Sequence, residues 1–376
     1  MLLLIAMAYA GVYVSAGFGT SSADEPLPDR LARLVASLLL DNRAFPMFAI
    51  LFGYGLSWMV RRRLSRGDPP GHARRLLRRR GLFLLAFGAV HAFLVFPGEI
   101  LAAYGLATLV TGWLLFRSDK AIVRAATITA ACYLLTVPIG MVGLAAAPET
   151  GGASPLPGYA TLGDWIARVA AVPFSPLFVT FAYPLLLMVL LGFWAARRRL
   201  LDEPERNRAT LRRIAVVGIG VSVAGAIPAA AVDVGGWDPG VGPVTAAMAL
   251  QVLTGVLGGA GYAALFGLLG SRLRAPYSLV TTAVTAVGQR SLTCYLANSV
   301  LVAVLLHPDL IGLGTSIGAA GALLCAVAVW AATACAALGL AHSGRPGPAD
   351  ALLQRLVNGG SQGSGRSAVA GASPTP

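Results

Sequence analysis

GLFLLAFGAVHAFLVFPGEILAAYGLATLV, residues 81–110, decides how this chain is read. Two apolar runs meet at Pro97-Gly98, and within them stand one histidine, His91, and one acid, Glu99. Runs this apolar read as membrane helices joined by a tight hairpin. An ionisable group in hydrocarbon is costly enough to be a functional-site hypothesis by default.

Composition agrees with that reading along the whole chain. Hydrophobic residues make up 56% of the 376 and charged residues 12%, with a mean hydropathy of +0.73. A soluble domain carries roughly 25% charged residues, so a soluble globular fold is excluded. The net charge of +13 raises nucleic acid as a partner. The arginines, however, gather between apolar stretches, as in loops retained in the cytoplasm, and we expect a lipid bilayer and no nucleic acid. All but one of the 29 basic residues are arginine, the exception being Lys120, a usage that fits a GC-rich bacterial genome. Cys132, Cys294, Cys325 and Cys335 lie in apolar segments without metal-like or disulfide-like spacing and read as small packing residues.

Ten stretches are near the roughly 20 residues a helix needs to cross hydrocarbon: 2–19, 44–60, 81–97, 100–116, 125–147, 174–195, 214–232, 243–269, 280–306 and 316–340. The first lacks the basic flank of a signal peptide and reads as a span. Gln289, Arg290 and Asn298 interrupt the ninth. The fold class expected is therefore all-α: a polytopic integral membrane bundle of about ten transmembrane helices with short interfacial amphipathic helices. It forms one domain over residues 1–359, with a disordered cytoplasmic tail over 360–376 that is rich in Gly, Ser and Ala.

Orientation follows from the arginines. Residues 61–80 carry nine and 197–213 carry seven; with both termini inside, 24 of the 29 basic residues are cytoplasmic and ten of the 16 acids external. This predicts a multi-pass protein of the bacterial cytoplasmic membrane. Residues 29–40 place Leu31, Leu34, Val35, Leu38 and Leu39 on one face, with Asp29 as a candidate N-cap. Residues 348–359, opening at Pro348 and stopping at Asn358-Gly359, read as a second interfacial helix. Both read as braces of the scaffold.

Three polar clusters need explaining. His91 titrates near neutrality and suits proton transfer, with Glu99 to orient its tautomer and Tyr104 one turn into the next span. The competing reading hydrogen-bonds His91 to a neighbouring helix and leaves Glu99 solvated at the rim. Arg43, in DNRAFPMFAILFGYG, either binds an anionic group from outside or snorkels beside Asp41. In GQRSLTCYLANS, Arg290 and Asn298 stand among Ser291, Thr293, Tyr295 and Ser299, and we expect a polar cavity around Arg290. His72, His307 and His342 have no evident partners in the sequence. Walker, dinucleotide, HExxH and GxSxG patterns are absent, as is any repeat marking two transporter halves.

Together with LLLIAMAYAGVY, the basic loop and RPGPADALLQRLVNG, these stretches resemble the DUF418 family of bacterial membrane proteins, the group that includes YeiB-like proteins. The likeness runs from residue 2 to about 359. Family members open with a short Arg…Asp…Arg-Gly stretch ahead of the first span. This sequence begins inside that span, so we expect a start codon set too late; an N-terminal peptide mapping to Met1 itself would count against it. The family is distantly similar to the transmembrane acyltransferase superfamily, which includes acyltransferase-3 and heparan-α-glucosaminide N-acetyltransferase-like enzymes. Those move an acyl group from a cytoplasmic donor to an acceptor on the far side through an intramembrane histidine, and the matching position here is His91.

The resemblance implies an acyltransferase: His91 and Glu99 catalytic; Arg43, Tyr104, Arg290 and Asn298 binding substrate; no metal and no tightly bound cofactor. Acyl-CoA is the co-substrate and an envelope sugar, lipid or exported metabolite the acceptor. Two other readings stay open, a proton-coupled carrier or exporter and a non-catalytic organiser of envelope partners. Oligomeric state is not encoded in any feature above.

Overall fold

The computed structural model describes residues 1–14, 25–145, 156–235, 240–273 and 278–359; the tail expected beyond residue 359 lies outside them. Among the described residues every regular element is helical. The α-helices are α1 (Leu2–Ala10), α2 (Leu27–Val35), α3 (Ala44–Ser65), α4 (Pro70–Leu94), α5 (Leu101–Thr111), α6 (Asp119–Ala145) and α7 (Leu162–Phe181). They continue with α8 (Leu185–Arg197), α9 (Arg208–Asp233), α10 (Val241–Ser271), α11 (Leu279–Gln289), α12 (Ser291–Leu306), α13 (Ala319–His342) and α14 (Pro348–Asn358).

Six helical stretches are long and apolar enough to cross a membrane, or seven if α11 and α12 count as one span bent by 93°. The count of ten expected from hydropathy is not confirmed. Residues 2–13, 101–116 and 185–197 form shorter apolar helices of 10–17 residues, and α4 devotes its first half to arginines. The physical reason is burial. Eight of eleven residues in α5 and eight of thirteen in α8 are buried by other helices, so they are apolar because protein surrounds them. Helices α6 and α7 show the opposite surface, with Leu135 at 69%, Ile139 at 71% and Leu162 at 77% exposure. An apolar face of that extent on the outside of a folded chain calls for lipid rather than water.

The stretch expected as one span at 174–195 is broken between α7 and α8. Pro184 lacks an N–H and disfavours helical backbone in the residue before it. A single side chain satisfies both loose ends: the Tyr133 hydroxyl donates to the Thr180 carbonyl (2.6 Å) and accepts from the Leu186 amide (3.3 Å). The 93° bend between α11 and α12 is handled from α14. The Asp350 carboxylate accepts from the Leu292 and Thr293 amides (3.2 and 3.0 Å) and from the Thr293 hydroxyl (2.7 Å). Asp350→Ala should therefore lower stability by about 1–2 kcal/mol, the usual cost of losing an N-cap, read as a fall in melting temperature; an unchanged midpoint would show that α14 does not hold the bend.

Residues 29–40 form α2 followed by a wider turn over Ala36–Leu40, continuous with α3. Asp29 does not cap its own helix: it lies inside α2 and accepts from the Ala320 amide (2.9 Å) at the start of α13. Three packed groups make up the interior. The two large ones draw on α1, α4 and α11–α14 and on α3, α5, α6, α8 and α10, with Phe48, Phe52 and Ile100 touching both; a small third one gathers Leu200 with Leu211, Ala215 and Ala264 of α9 and α10.

Candidate functional site

His91 sits near the end of α4, buried, facing Tyr295 of α12 with ring centroids 5.7 Å apart. Neither ring nitrogen has a hydrogen-bond partner among the described residues. Buried polar atoms are nearly always paired, and an orphan costs about 1–3 kcal/mol. Of the two sequence readings, the histidine bonded to a neighbouring helix is not what the fold contains.

Glu99 is buried too, and it is spent. Its carboxylate accepts from the Leu101 amide (2.5 Å) and the Ala102 amide (2.9 Å), capping the N-terminus of α5. It is neither solvated at a rim nor bonded to His91, so its expected role as orienter of the imidazole is corrected to that of a helix cap. Tyr104 lies on α5 in a box of rings, 5.1 Å from Phe48 and 4.8 Å from Phe52, and its hydroxyl has no partner among the described residues. Tyr295 stands within electrostatic range of Glu99, Tyr9 and Tyr13, and Tyr104 within range of Tyr295 and Glu99. Asn298, one turn beyond Tyr295, accepts from the Thr333 hydroxyl (2.6 Å), while its amide nitrogen is unpaired among the described residues. His91, Tyr104 and Asn298 thus hold donors or acceptors without partners among the described residues.

The two arginines expected to bind substrate are elsewhere. Arg43 is 1% exposed and donates to the carbonyls of Ser37 (2.9 Å), Asp41 and Ser222 (2.6 Å). It neither snorkels nor faces outward; it pins the wide turn before α3 to α9. Arg290 donates to the carbonyls of Arg345 (2.7 and 3.1 Å) and Ala286 (3.3 Å), which closes the bend between α11 and α12 rather than lining a polar cavity.

Two residues gain importance that the sequence did not give them. Arg168 is fully buried and donates to the carbonyls of Gly158 (2.9 Å), Pro157 (2.7 Å) and Phe93 (3.3 Å), with Tyr159 stacked 3.7 Å from its guanidinium. It ties residues 157–159 to α4 two residues from His91. His307 has partners after all: its Nδ1 accepts from the Asp309 amide (3.2 Å), its Nε2 lies 3.3 Å from the Pro157 carbonyl, and Tyr159 packs edge-on at 4.8 Å.

An all-helical bundle with six helices long and apolar enough to cross a membrane, and large apolar side chains on its outer face, marks this as a membrane protein. Residues 195–360 match the family described as protein of unknown function (DUF418). The match takes in α9–α14, including Tyr295 and Asn298, and stops short of His91. The uncharacterized protein YxaH of Bacillus subtilis (strain 168) is 29% identical over 223 residues, covering 52% of this chain and 54% of that protein. The chain thus spans about half the length of that relative. No solved structure matches.

Proposed function

We propose that the protein is a membrane-embedded acyltransferase that passes an acyl group from a cytoplasmic acyl-CoA to an acceptor of the cell envelope. The observation that carries this reading is the buried His91 imidazole, with both nitrogens unpaired among the described residues and Tyr295 against its ring. A neutral imidazole with a free lone pair is a general base near neutral pH. His91 takes the proton of the acceptor hydroxyl or amine as that atom attacks the thioester carbonyl. When the C–S bond breaks, the imidazolium returns the proton to the departing thiolate. The unpaired Asn298 amide and Tyr104 hydroxyl supply donors for the carbonyl oxygen as its charge grows.

The arginine-rich end of the bundle suits the phosphates of the donor. Trp194, Arg197, Arg198, Arg199 and Arg206 help line a cavity of about 500 Å³ there, and arginine forks match phosphate oxygens. We place that end in the cytoplasm, from the bias of basic residues, with no resident cofactor and acyl-CoA as co-substrate.

Capping by Glu99 separates this mechanism from a His–acid dyad. Glu99→Gln keeps an acceptor oxygen for the α5 amides, so transfer should stay within a few-fold of wild type. Glu99→Ala should cost about 1 kcal/mol of stability. A hundredfold loss of transfer in Glu99→Gln, in protein melting at the wild-type temperature, would restore the dyad. Incubating membranes of matched protein content with labelled acyl-CoA, and following label into acid-stable product, makes the comparison.

A further inference from the structure

The arginine-rich end of the bundle holds a second cavity, of about 430 Å³, between α4 and the tighter turn Gly112–Phe116 that continues α5. That volume is within the usual range of small-molecule sites. Arg74 and Arg78 line it from α4, one helical turn apart, and Leu82, Leu109, Trp113 and Phe116 give it apolar walls. Helix α4 extends the site as a ridge. Arg74, Arg78, Leu82, Ala86, Val90 and Leu94 follow at four-residue steps, which makes them neighbours along a helix surface. All six are exposed, Val90 by 59%. The ridge therefore changes from cationic to apolar within one turn, between Arg78 and Leu82. Trp113, also exposed, stands beside that change, at the level tryptophan favours where membrane meets water.

The two arginines are uncommitted. Elsewhere in residues 61–80, Arg61 is paired with Asp202, Arg63 with Asp68 (3.4 Å), and Arg79 donates to the Leu356 carbonyl (2.8 Å). Neither Arg74 nor Arg78 donates a hydrogen bond or pairs with a carboxylate among the described residues. The Arg74 guanidinium lies 4.7 Å over the Phe116 ring, a contact that steadies its plane and leaves its N–H groups open. Arg117, 5.8 Å over the Trp113 ring, adds a further positive charge at the rim. No acid lines the cavity among the described residues.

Positive charge without a partner, set against a surface that faces hydrocarbon, calls for an anion whose other end is apolar. Guanidinium forks match phosphate oxygens, and basic pockets between membrane helices on the cytoplasmic side suit anionic lipid headgroups. A soluble anion would leave the apolar ridge unused. A zwitterionic lipid would bring its own cation in among the arginines.

We propose that this cavity binds one anionic phospholipid of the cytoplasmic leaflet, its phosphate held by Arg74 and Arg78 and an acyl chain lying along Leu82 and Trp113. The inference stands apart from acyl transfer, since neither arginine borders the cavity proposed for the acyl-CoA phosphates.

The test uses the full chain purified in uncharged detergent. Phosphatidylglycerol, phosphatidylcholine with the same chains, and water-soluble glycerol 3-phosphate are titrated in turn. Bound molecules are counted by native mass spectrometry and followed as thermal stabilisation. The expected result is one phosphatidylglycerol held at least about tenfold more tightly than either other probe, with that preference lost in Arg74→Gln/Arg78→Gln. Arg66→Gln/Arg75→Gln removes the same charge from exposed arginines that do not line the cavity, and should keep the preference. Should the first double variant fail to purify as one species, Arg78→Gln alone replaces it. Equal binding of the two lipids, or glycerol 3-phosphate bound as tightly as the lipid, would overturn the proposal. So would a preference that survives in folded Arg74→Gln/Arg78→Gln, or one that disappears equally in both double variants.

Discussion

Replacing His91 with phenylalanine should reduce acyl transfer by at least about a hundredfold, within the usual contribution of a general base, while leaving the melting temperature unchanged or higher. The two halves of this expectation come from the same observation. Phenylalanine fills nearly the same volume beside Tyr295, so no cavity opens. It also removes two buried nitrogens with no partner among the described residues, and replacing an unsatisfied polar group by an apolar one of similar shape is neutral or stabilising. Gains in stability from changing a site residue mark a position kept for function. A variant that melts well below wild type would mean that His91 holds the fold together. A stable variant with full transfer would remove it from the chemistry.

The second large effect is expected from a single methyl group. A Cβ on Gly88 would overlap the backbone nitrogen and Cα of Ala102, the residue whose amide Glu99 caps. Gly105 on the facing helix likewise has no room, because a Cβ there would meet the Leu85 backbone. Backbone cannot swing aside as a side-chain tip can, so Gly88→Ala must push α4 from α5 and spoil the cap. We expect a loss of about 1–3 kcal/mol or more, with transfer reduced because His91 rides on the same helix one turn away. Gly55→Ala is the matched control: its Cβ would meet nothing within 4 Å, and alanine in a helix interior should be neutral or gain about 0.5–1 kcal/mol. Melting curves of the two variants, run side by side, check both. Equal stability would show that α4 and α5 are not locked at this crossing.

The sequence made the class of protein legible because apolar composition survives any detail of packing. It could not separate helices apolar toward lipid from helices apolar toward protein. Helices α5 and α8 carry the same letters as a span and are covered on nearly every side. Pro184 was a legible stop, overridden in our reading by the hydropathy on either side. The histidine stood out in the sequence as a lone ionisable group, and the fold buries it without a partner among the described residues; its neighbour Glu99 was misread. Glu99 stands two residues before α5, where an acid caps amides, and that local pattern outweighs its nearness to His91 along the chain. Arg43, Arg168 and Arg290 show a further limit. A guanidinium serving backbone carbonyls at helix breaks has the same letter as one awaiting substrate, and only the fold reveals which carbonyls were left open. Tyr295 was visible merely as one polar group in a run; its meeting with His91 joins residues from opposite ends of the chain.

The most direct measurement is release of CoA thiol from a panel of acyl-CoAs in native-host membranes carrying wild-type protein or His91→Phe at equal abundance, with the label followed into product. If His91 is the base, one acyl-CoA gives protein-dependent thiol release matched by labelled product, and His91→Phe falls to the level of membranes without the protein. Equal release by the two proteins, or no protein-dependent release from any donor, would contradict acyl transfer at His91.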